Sequence, residues 1–316
     1  MVQKRKFFNQ YNSVYFIVLL LGLSAFLYQP SFFKLNNINM ILRQASALGI
    51  LTMGHLFVIS TGCVDLSLTA TMQLSIAIFM IFVKFYGPEW LLVGFLVSFL
   101  AALLIGILNG VIVSVYNVQP FLITLFMGAI LIGIRSVAFG ATPLGVPPES
   151  LVRFIKGGPG AIISNAVFIL IAVVILVYFV FENTVYGRRV MMVGTNRIAA
   201  KFSGVNVNQT IIIAYCISAL SAVLAGIVAT GYLGFADQTT IGNGMEMDSM
   251  VAAVLGGNFL SGGRASVSGA IGGVLAMTLI LNFVVLFGFD IRFQYVLKGL
   301  IFIAVVFLSS RTKKSG

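Results

Sequence analysis

The stretch WLLVGFLVSFLAALLIGILNGVIVSV (Trp90–Val115) runs for 26 residues without one Lys, Arg, Asp or Glu. The bilayer's hydrocarbon core takes about 20 residues of α-helix, so a run of this length and apolarity reads as a membrane span. Within it, Ser98, Ala102, Gly106 and Gly110 repeat every fourth residue. Small residues at that spacing let helix backbones approach closely in lipid, where no hydrophobic effect draws helices together. Ser218, Ala222 and Gly226 repeat the stripe later in the chain, as do Ser268, Gly272 and Ala276. Tight bundle packing accounts for all three stripes.

Outward from this segment the pattern recurs. Apolar blocks lie near 14–29, 41–60, 67–86, 120–140, 162–182, 210–232, 248–262, 266–287 and 291–309, which with 90–115 makes ten expected spans. The seven prolines (Pro30, Pro88, Pro120, Pro143, Pro147, Pro148 and Pro159) fall in the connections or at a helix's first residues, as their missing donor requires. Tyr28, Tyr86, Trp90, Tyr116 and Tyr232 stand near span ends, where amphipathic rings favour the interface. The chain is 59% hydrophobic and 9% charged, against roughly 25% charged in a soluble domain, so it could not cover a soluble surface. The expectation is an all-α, polytopic integral membrane bundle, a single domain over residues 1–316 with about ten transmembrane helices. The segment 248–262 is short and broken at Gly256-Gly257; it either crosses fully as the eighth span or is a half-helix that does not.

The net charge of +11 has a topological source. No basic stripe interleaved with aromatics is present to follow a phosphate backbone, so no nucleic-acid partner is expected. With ten crossings and an inner N-terminus, the inner segments hold Lys4, Arg5, Lys6, Arg188, Arg189, Arg197, Lys201, Arg264, Arg311, Lys313 and Lys314. The outer segments hold Lys34, Arg43, Lys84, Arg153, Lys156 and Arg292, and Arg135 and Lys298 fall inside spans. Positive charge concentrated inward places both termini in the cytoplasm. The basic N-terminus followed by Val14–Tyr28 has no small-x-small cleavage site after it, so it reads as an uncleaved first helix. Cys63 and Cys216 read as small core residues, and the lone His55 lies in an apolar run with no acid or Cys neighbour, so no metal site is expected. No phosphate-cradling loop, His-Glu-x-x-His or Ser/His/Asp set is present, and the chain reads as no enzyme.

Two kinds of segment carry function. The longest inner loop, about 183–209, reads NTVYGRRVMMVGTNRIAAKFSGVNV from Asn183. Asn196 suits an N-cap and Gly204 a left-handed C-terminal residue, with Ile198 and Phe202 sharing one face of about two turns between them. So short a helix is marginal alone in water. It docks on a motor subunit, or it lies in the headgroups with Arg188, Arg189, Arg197 and Lys201 against anionic lipid. The other kind is a pair of glycine-bearing breaks, Thr61–Ser67 and Gly256–Ser261, each ending in Leu-Ser (Leu66-Ser67 and Leu260-Ser261). Broken helices at matching places in two halves point to a translocation pathway. Asp65, an acid at membrane depth, either lines an aqueous path or caps a helix N-terminus. Ser67, Asn109, Gln119 and Asn282 are further pathway candidates, each with an interhelical hydrogen bond as its alternative role.

Several strings resemble the permeases of ribose/simple-sugar ABC importers: Ile59–Ser67, Gln119–Leu125, Gly187–Asn196, Ala199–Val207 and Gly244–Arg264, collinear over about residues 45–300. The resemblance implies a permease that carries a monosaccharide (ribose, another pentose or a hexose) across the plasma membrane of a prokaryote. It implies a second permease copy or paralogue, two cytoplasmic ATPases that hold the ATP and magnesium, and an extracytoplasmic sugar-binding protein. It also implies that the loop is the coupling helix, with Gly187, Arg188, Asn196, Arg197, Ile198, Ala199, Ala200, Phe202 and Gly204 meeting the ATPase. The chain departs from the family at Cys63, Thr69 and Ala70, where glycines and a serine are usual, and at Arg197, where an acid is usual. Related permeases carry nucleosides, a furanone-type signal or branched-chain amino acids. A more distant alternative, an ion-coupled secondary transporter, needs titratable groups at mid-membrane, and Arg135 and Lys298 are expected to lack facing acids.

Overall fold

The computed structural model describes residues 13–28, 30–140, 142–159, 163–290 and 292–312. Lys4, Arg5, Lys6, Lys313 and Lys314, which carry part of the charge asymmetry, lie outside these residues. The helices are α1 (Ser13–Tyr28), α2 (Leu35–Ser60), α3 (Leu68–Tyr86), α4 (Leu91–Ser114), α5 (Pro120–Phe139), α6 (Glu149–Lys156), α7 (Asn165–Asn183), α8 (Val185–Thr195), α9 (Arg197–Phe202), α10 (Val207–Leu233), α11 (Met245–Leu255), α12 (Val267–Leu286) and α13 (Phe293–Thr312). Among the described residues the only extended pairing is one isolated antiparallel bridge, Gly145 to Ala236.

Seven helical segments among the described residues are long and apolar enough to cross a membrane: α2, α3, Pro88–Ser114, α5, α7, α10 and α12. The protein is therefore a multi-pass helical membrane protein, with these seven of the ten expected spans meeting that length and apolarity among the described residues. α1 has 16 residues and α11 has 11. At 1.5 Å per residue, eleven residues reach about 16 Å, roughly half the hydrocarbon thickness. α13, at 20 residues, is not among the seven.

The molecule is built around α10. Its 27 residues reach about 40 Å, so the helix defines two ends of the bundle. Val207 stands beside α9, and Gly231 lies against Ile155 of α6 at the other end. The stripe on α4 explains the closest contact. A methyl group on Gly106 would fall 2.7 Å from Cys216 Cα, and one on Gly110 would fall 2.6 Å from Ile212 Cα. Only hydrogen fits at either place. The opposite face of α4 carries Leu92, Leu96, Leu100, Leu104 and Leu108, all exposed, as a lipid-facing stripe requires. α2 runs antiparallel to α10, from Arg43, which donates to the Lys156 carbonyl, to Ser60 beside α8. Phe57 near its end stacks on Phe181 of α7 at 4.5 Å.

Between α10 and α12 the chain crosses in pieces. Ala236 bonds to Gly145 at the α6 end, α11 follows, and Gly263 donates to the Ser60 carbonyl at the α9 end. The crossing joins a loop, a short helix and a glycine break. It starts well before residue 248.

Candidate functional site

α9 is held by its own ends. Asn196 Oδ1 accepts from the amides of Ile198 (2.9 Å) and Ala199 (3.0 Å), satisfying two of the helix's orphan donors. At the other end Gly204, at φ +79°, donates to Lys201 and Val205 donates to Ala200, each at 3.0 Å. This double closure around a left-handed glycine is a Schellman motif. The exposed face presents Ile198 and Phe202, with Phe202 89% exposed. An aromatic ring so bare at the end of a two-turn helix has no packing partner among the described residues. A groove of about 630 Å³ beside it is lined by Ser114, Asn117, Arg197, Ile198, Lys201 and Phe202, among others.

The candidate coupling residues divide by burial. Arg188, Asn196, Ile198, Ala199, Phe202 and Gly204 are exposed. Gly187 and Ala200 are buried, and they position the corner without offering a surface. A methyl group on Gly187 would lie 2.4 Å from the Val180 carbonyl oxygen, so its bare backbone lets α8 fold against the end of α7. Arg197 is half-buried and turns inward, its Nη2 3.0 Å from Cys63 Sγ. Its side chain bonds the corner to the first break and is not a free surface contact.

The two breaks, far apart in sequence, meet here backbone to backbone. Gly263 donates to the Ser60 carbonyl at 3.0 Å, and Ser60 Oγ donates to the Arg264 carbonyl at 3.3 Å. A methyl group on Gly262 would sit 2.5 Å from the Gly62 amide nitrogen, and both glycines have left-handed φ (+79° and +75°). The α8–α9 corner closes on the same point. A methyl group on Gly194 would lie 1.9 Å from the Ser60 oxygen and 2.4 Å from the Gly263 nitrogen. With no side chains between these glycines, the α8–α9 corner rests backbone to backbone on the segments that start α3 and lead into α12.

Beyond the corner, the first break turns into the bundle and Asp65 is buried. Its Oδ1 accepts from the amide (3.0 Å) and hydroxyl (2.6 Å) of Ser67, and its Oδ2 from Ser218 Oγ on α10 (2.9 Å). Asn109 of α4 donates to Ser67 Oγ at 2.9 Å. The structure thus brings Asp65, Ser67 and Asn109 together as a buried latch joining α3, α4 and α10. His55 completes it from α2. Its Nε2 accepts from the Asp65 amide (3.2 Å), which puts the ring proton on Nδ1, facing Ser249 Oγ of α11 at 2.9 Å. The other two pathway candidates stand elsewhere. Gln119 is exposed as the extended residue before α5, not inside a span, because Pro120 starts that helix. Asn282 is paired with Asn37 of α2 (Nδ2 to Oδ1, 3.2 Å) near the α6 end.

Two cavities flank the segment Gly242-Asn243-Gly244. On one side an open groove of about 330 Å³ runs between α3 and α5, with Thr69, Gln73, Asn243 and Glu246 as its polar lining. Thr69 Oγ1 donates to Glu246, and Gln73 Nε2 donates to Asn243 Oδ1 at 2.8 Å. Arg135 of α5 is buried and donates to Gln73 Oε1 and to the Gln238 carbonyl. On the other side a cavity of about 410 Å³ lies between α2, α11, α12 and α13. There Lys298 Nζ stands 2.6 Å from Asp248 Oδ2, both side chains largely buried. The expectation that Lys298 lacks a facing acid is therefore overturned. The partner lies fifty positions away, beyond the reach of any local pattern. The loop leading to this wall is tied by Asp237. Burial alone would raise its carboxyl, but donors from Thr239 and Thr240 outweigh that and hold it below the usual carboxylate range.

Comparison with known proteins places this arrangement. A sequence profile described as "Branched-chain amino acid transport system / permease component" matches residues 37–306. The chain belongs to this permease family. It is 34% identical over 303 residues to a probable ABC transporter permease of Escherichia coli strain K12, covering 95% of this chain and 90% of that one. It is 34% identical over 285 residues to the ribose import permease of Bacillus subtilis strain 168 (89% and 87%). It is 32% identical over 316 aligned residues to the fructose import permease of Rhizobium meliloti (94% and 85%). No solved structure matches it. As a member of this family, the chain is the translocating component of an ABC transport system.

Proposed function

We propose that this permease carries a monosaccharide inward across the prokaryotic cytoplasmic membrane, driven by separate ATPase subunits. The observation that carries the reading is the α8–α9 corner, an exposed Ile198/Phe202 face packed without side chains against both helix breaks. An ATPase gripping that face acts on two broken helices at once. The sugar comes from the named substrates of the ribose and fructose permeases above. The assembly has a second permease, identical or paralogous, two ATPases that hold ATP and magnesium, and an extracytoplasmic sugar-binding protein. The α9 end and both termini face the cytoplasm, as the excess of basic residues on that side favours. ATP binding draws the corners of the two permeases together, and hydrolysis releases them. The pathway opens outward and then inward, and no bond in the sugar is broken.

The test is Phe202→Asp in the reconstituted importer. The expected result is normal membrane insertion, uptake reduced by at least about tenfold, and loss of sugar-stimulated ATP hydrolysis. Undiminished stimulation would overturn the coupling role. A second reading has one observation in its favour, because the buried Asp248–Lys298 pair supplies a mid-bundle titratable couple such as an ion-coupled transporter needs. Uptake that survives ATP depletion and stops when the proton gradient collapses would favour it. Uptake of leucine in preference to sugars would replace the substrate.

A further inference from the structure

We infer that the cavity of about 410 Å³ within each single permease is a binding site for the neutral polyhydroxylated solute, held by Asp248 and Lys298. This deepens the proposed function and rests on it, since the ligand class is that of a monosaccharide. The size suits a small ligand, as solute pockets begin at about 300 Å³. Its lining is of the right kind. Gln44, Asn243, Asn282 and Gln294 supply amides from four different elements, and Lys298 adds an ammonium donor. Asp248 supplies the acceptor. Its Oδ2 is bonded to Lys298 Nζ at 2.6 Å, while its Oδ1 is buried and has no hydrogen-bond partner among the described residues. A buried carboxylate oxygen left bare is unfavourable, and a solute hydroxyl is the donor that would satisfy it.

A purely structural ion pair explains less. It would account for the contact between α11 and α13, but not for a half-used carboxylate beside an open polar cavity. The position fits a route as well. Asn243, flanked by Gly242 and Gly244, lines both this cavity and the groove between α3 and α5, so the two are bordered by the same glycine-flanked segment.

The purified permease in nanodiscs, without binding protein, is probed with D-ribose, D-fructose and D-galactose by saturation-transfer difference NMR. The complete importer is assayed in parallel for uptake. Wild type is expected to show transfer to at least one of the sugars. Asp248→Asn and Gln44→Ala are each expected to weaken binding and raise the KM for uptake by about tenfold, the effect of one lost hydrogen bond to a charged or buried partner. The exchanged pair Asp248→Lys with Lys298→Asp guards against misfolding. It restores the ion pair and thermal stability but reverses the charges the solute meets, so it is expected to fold and still not bind. Wild-type binding and KM in the exchanged pair would overturn the site and leave a structural ion pair. A wild-type importer that moves leucine and no sugar would overturn the functional reading, and the site with it. Sugar uptake with an unaltered KM in both Asp248→Asn and Gln44→Ala would overturn the site alone.

Discussion

At the scale of single residues, the side chains that hold the α8–α9 corner are separable from those it leaves exposed. Asn196 caps α9 through two amides, and losing such a cap destabilises a helix by about 1 kcal/mol. A helix of six residues has no reserve to absorb that loss. Asn196→Ala is therefore expected to speed hydrogen exchange across 197–205 and to reduce uptake several-fold while global melting is unchanged. Asn196→Asp, which keeps the acceptor, restores both. Asp65 answers a sharper question. Asn at 65 still accepts from Ser67 on one oxygen and donates to Ser218 from its amide, so the latch survives without charge. Asp65→Asn is expected to transport within about twofold of wild type. Asp65→Ala strands three donors and loses about 3 kcal/mol of stability. If thermal stability and uptake part company in Asp65→Asn, with the first kept and the second lost, the carboxylate serves the pathway and not the latch.

At the scale of elements, what the sequence reveals depends on how far apart the determinants lie. α9 is legible because its cap, its left-handed glycine and its i, i+4 apolar pair fall within nine residues. The inward and outward faces of α4 are legible for the same reason. The Asp248–Lys298 pair and the Arg135–Gln238 contact are not, because their partners are 50 and 103 positions apart and nothing local announces them. The short α11 misleads for another reason. Its apolar residues read as part of a span, yet the loop before it gives its carbonyls to Gln73 and not to a helix. α5 is held to that loop by Arg135, and its outward face is largely apolar and exposed. Arg135→Leu leaves Gln73 Oε1 and the Gln238 carbonyl without their donor, each worth about 1–3 kcal/mol where water cannot replace it. The variant is expected to melt at a lower temperature in detergent, with Arg135→Lys intermediate because both bonds come from Nη1 and a lysine ammonium ends about one bond short of it. Equal melting of wild type and Arg135→Leu would show that α5 is held by packing alone.

At the scale of the whole molecule, the α8–α9 corner and the two cavities form one mechanical problem. Alternating access needs a part that transmits force without yielding and a part that yields. The corner has the first character, since Ser60, Gly62, Gly194, Gly262 and Gly263 touch through backbone atoms. The second character belongs to Gly242-Asn243-Gly244. Both glycines there have left-handed φ (+84° and +79°), and the wall is held to α3 only by side-chain hydrogen bonds among the described residues, Gln73 Nε2 on Asn243 Oδ1 and the Ile241 carbonyl and Thr69 Oγ1 on the Gly242 carbonyl. α11 joins the two regions, because Ser249 reaches His55 beside the latch while Glu246 reaches Thr69 in the groove. Displacing the corner should therefore shift α11 and break the Gln73–Asn243 contact. Gln73→Cys with Asn243→Cys, in a chain whose Cys63 and Cys216 are replaced by Ser and Ala, fixes that contact when joined by a short, reducible bifunctional thiol cross-linker, since the tip-to-tip contact is too long for a direct disulfide. Uptake by the cross-linked importer is expected to stop and to return on reduction, with ATP hydrolysis persisting uncoupled because α9 is still free to be gripped. A cross-linked importer that continues to transport would mean that the wall never opens, and the solute must then pass along a surface this segment does not guard.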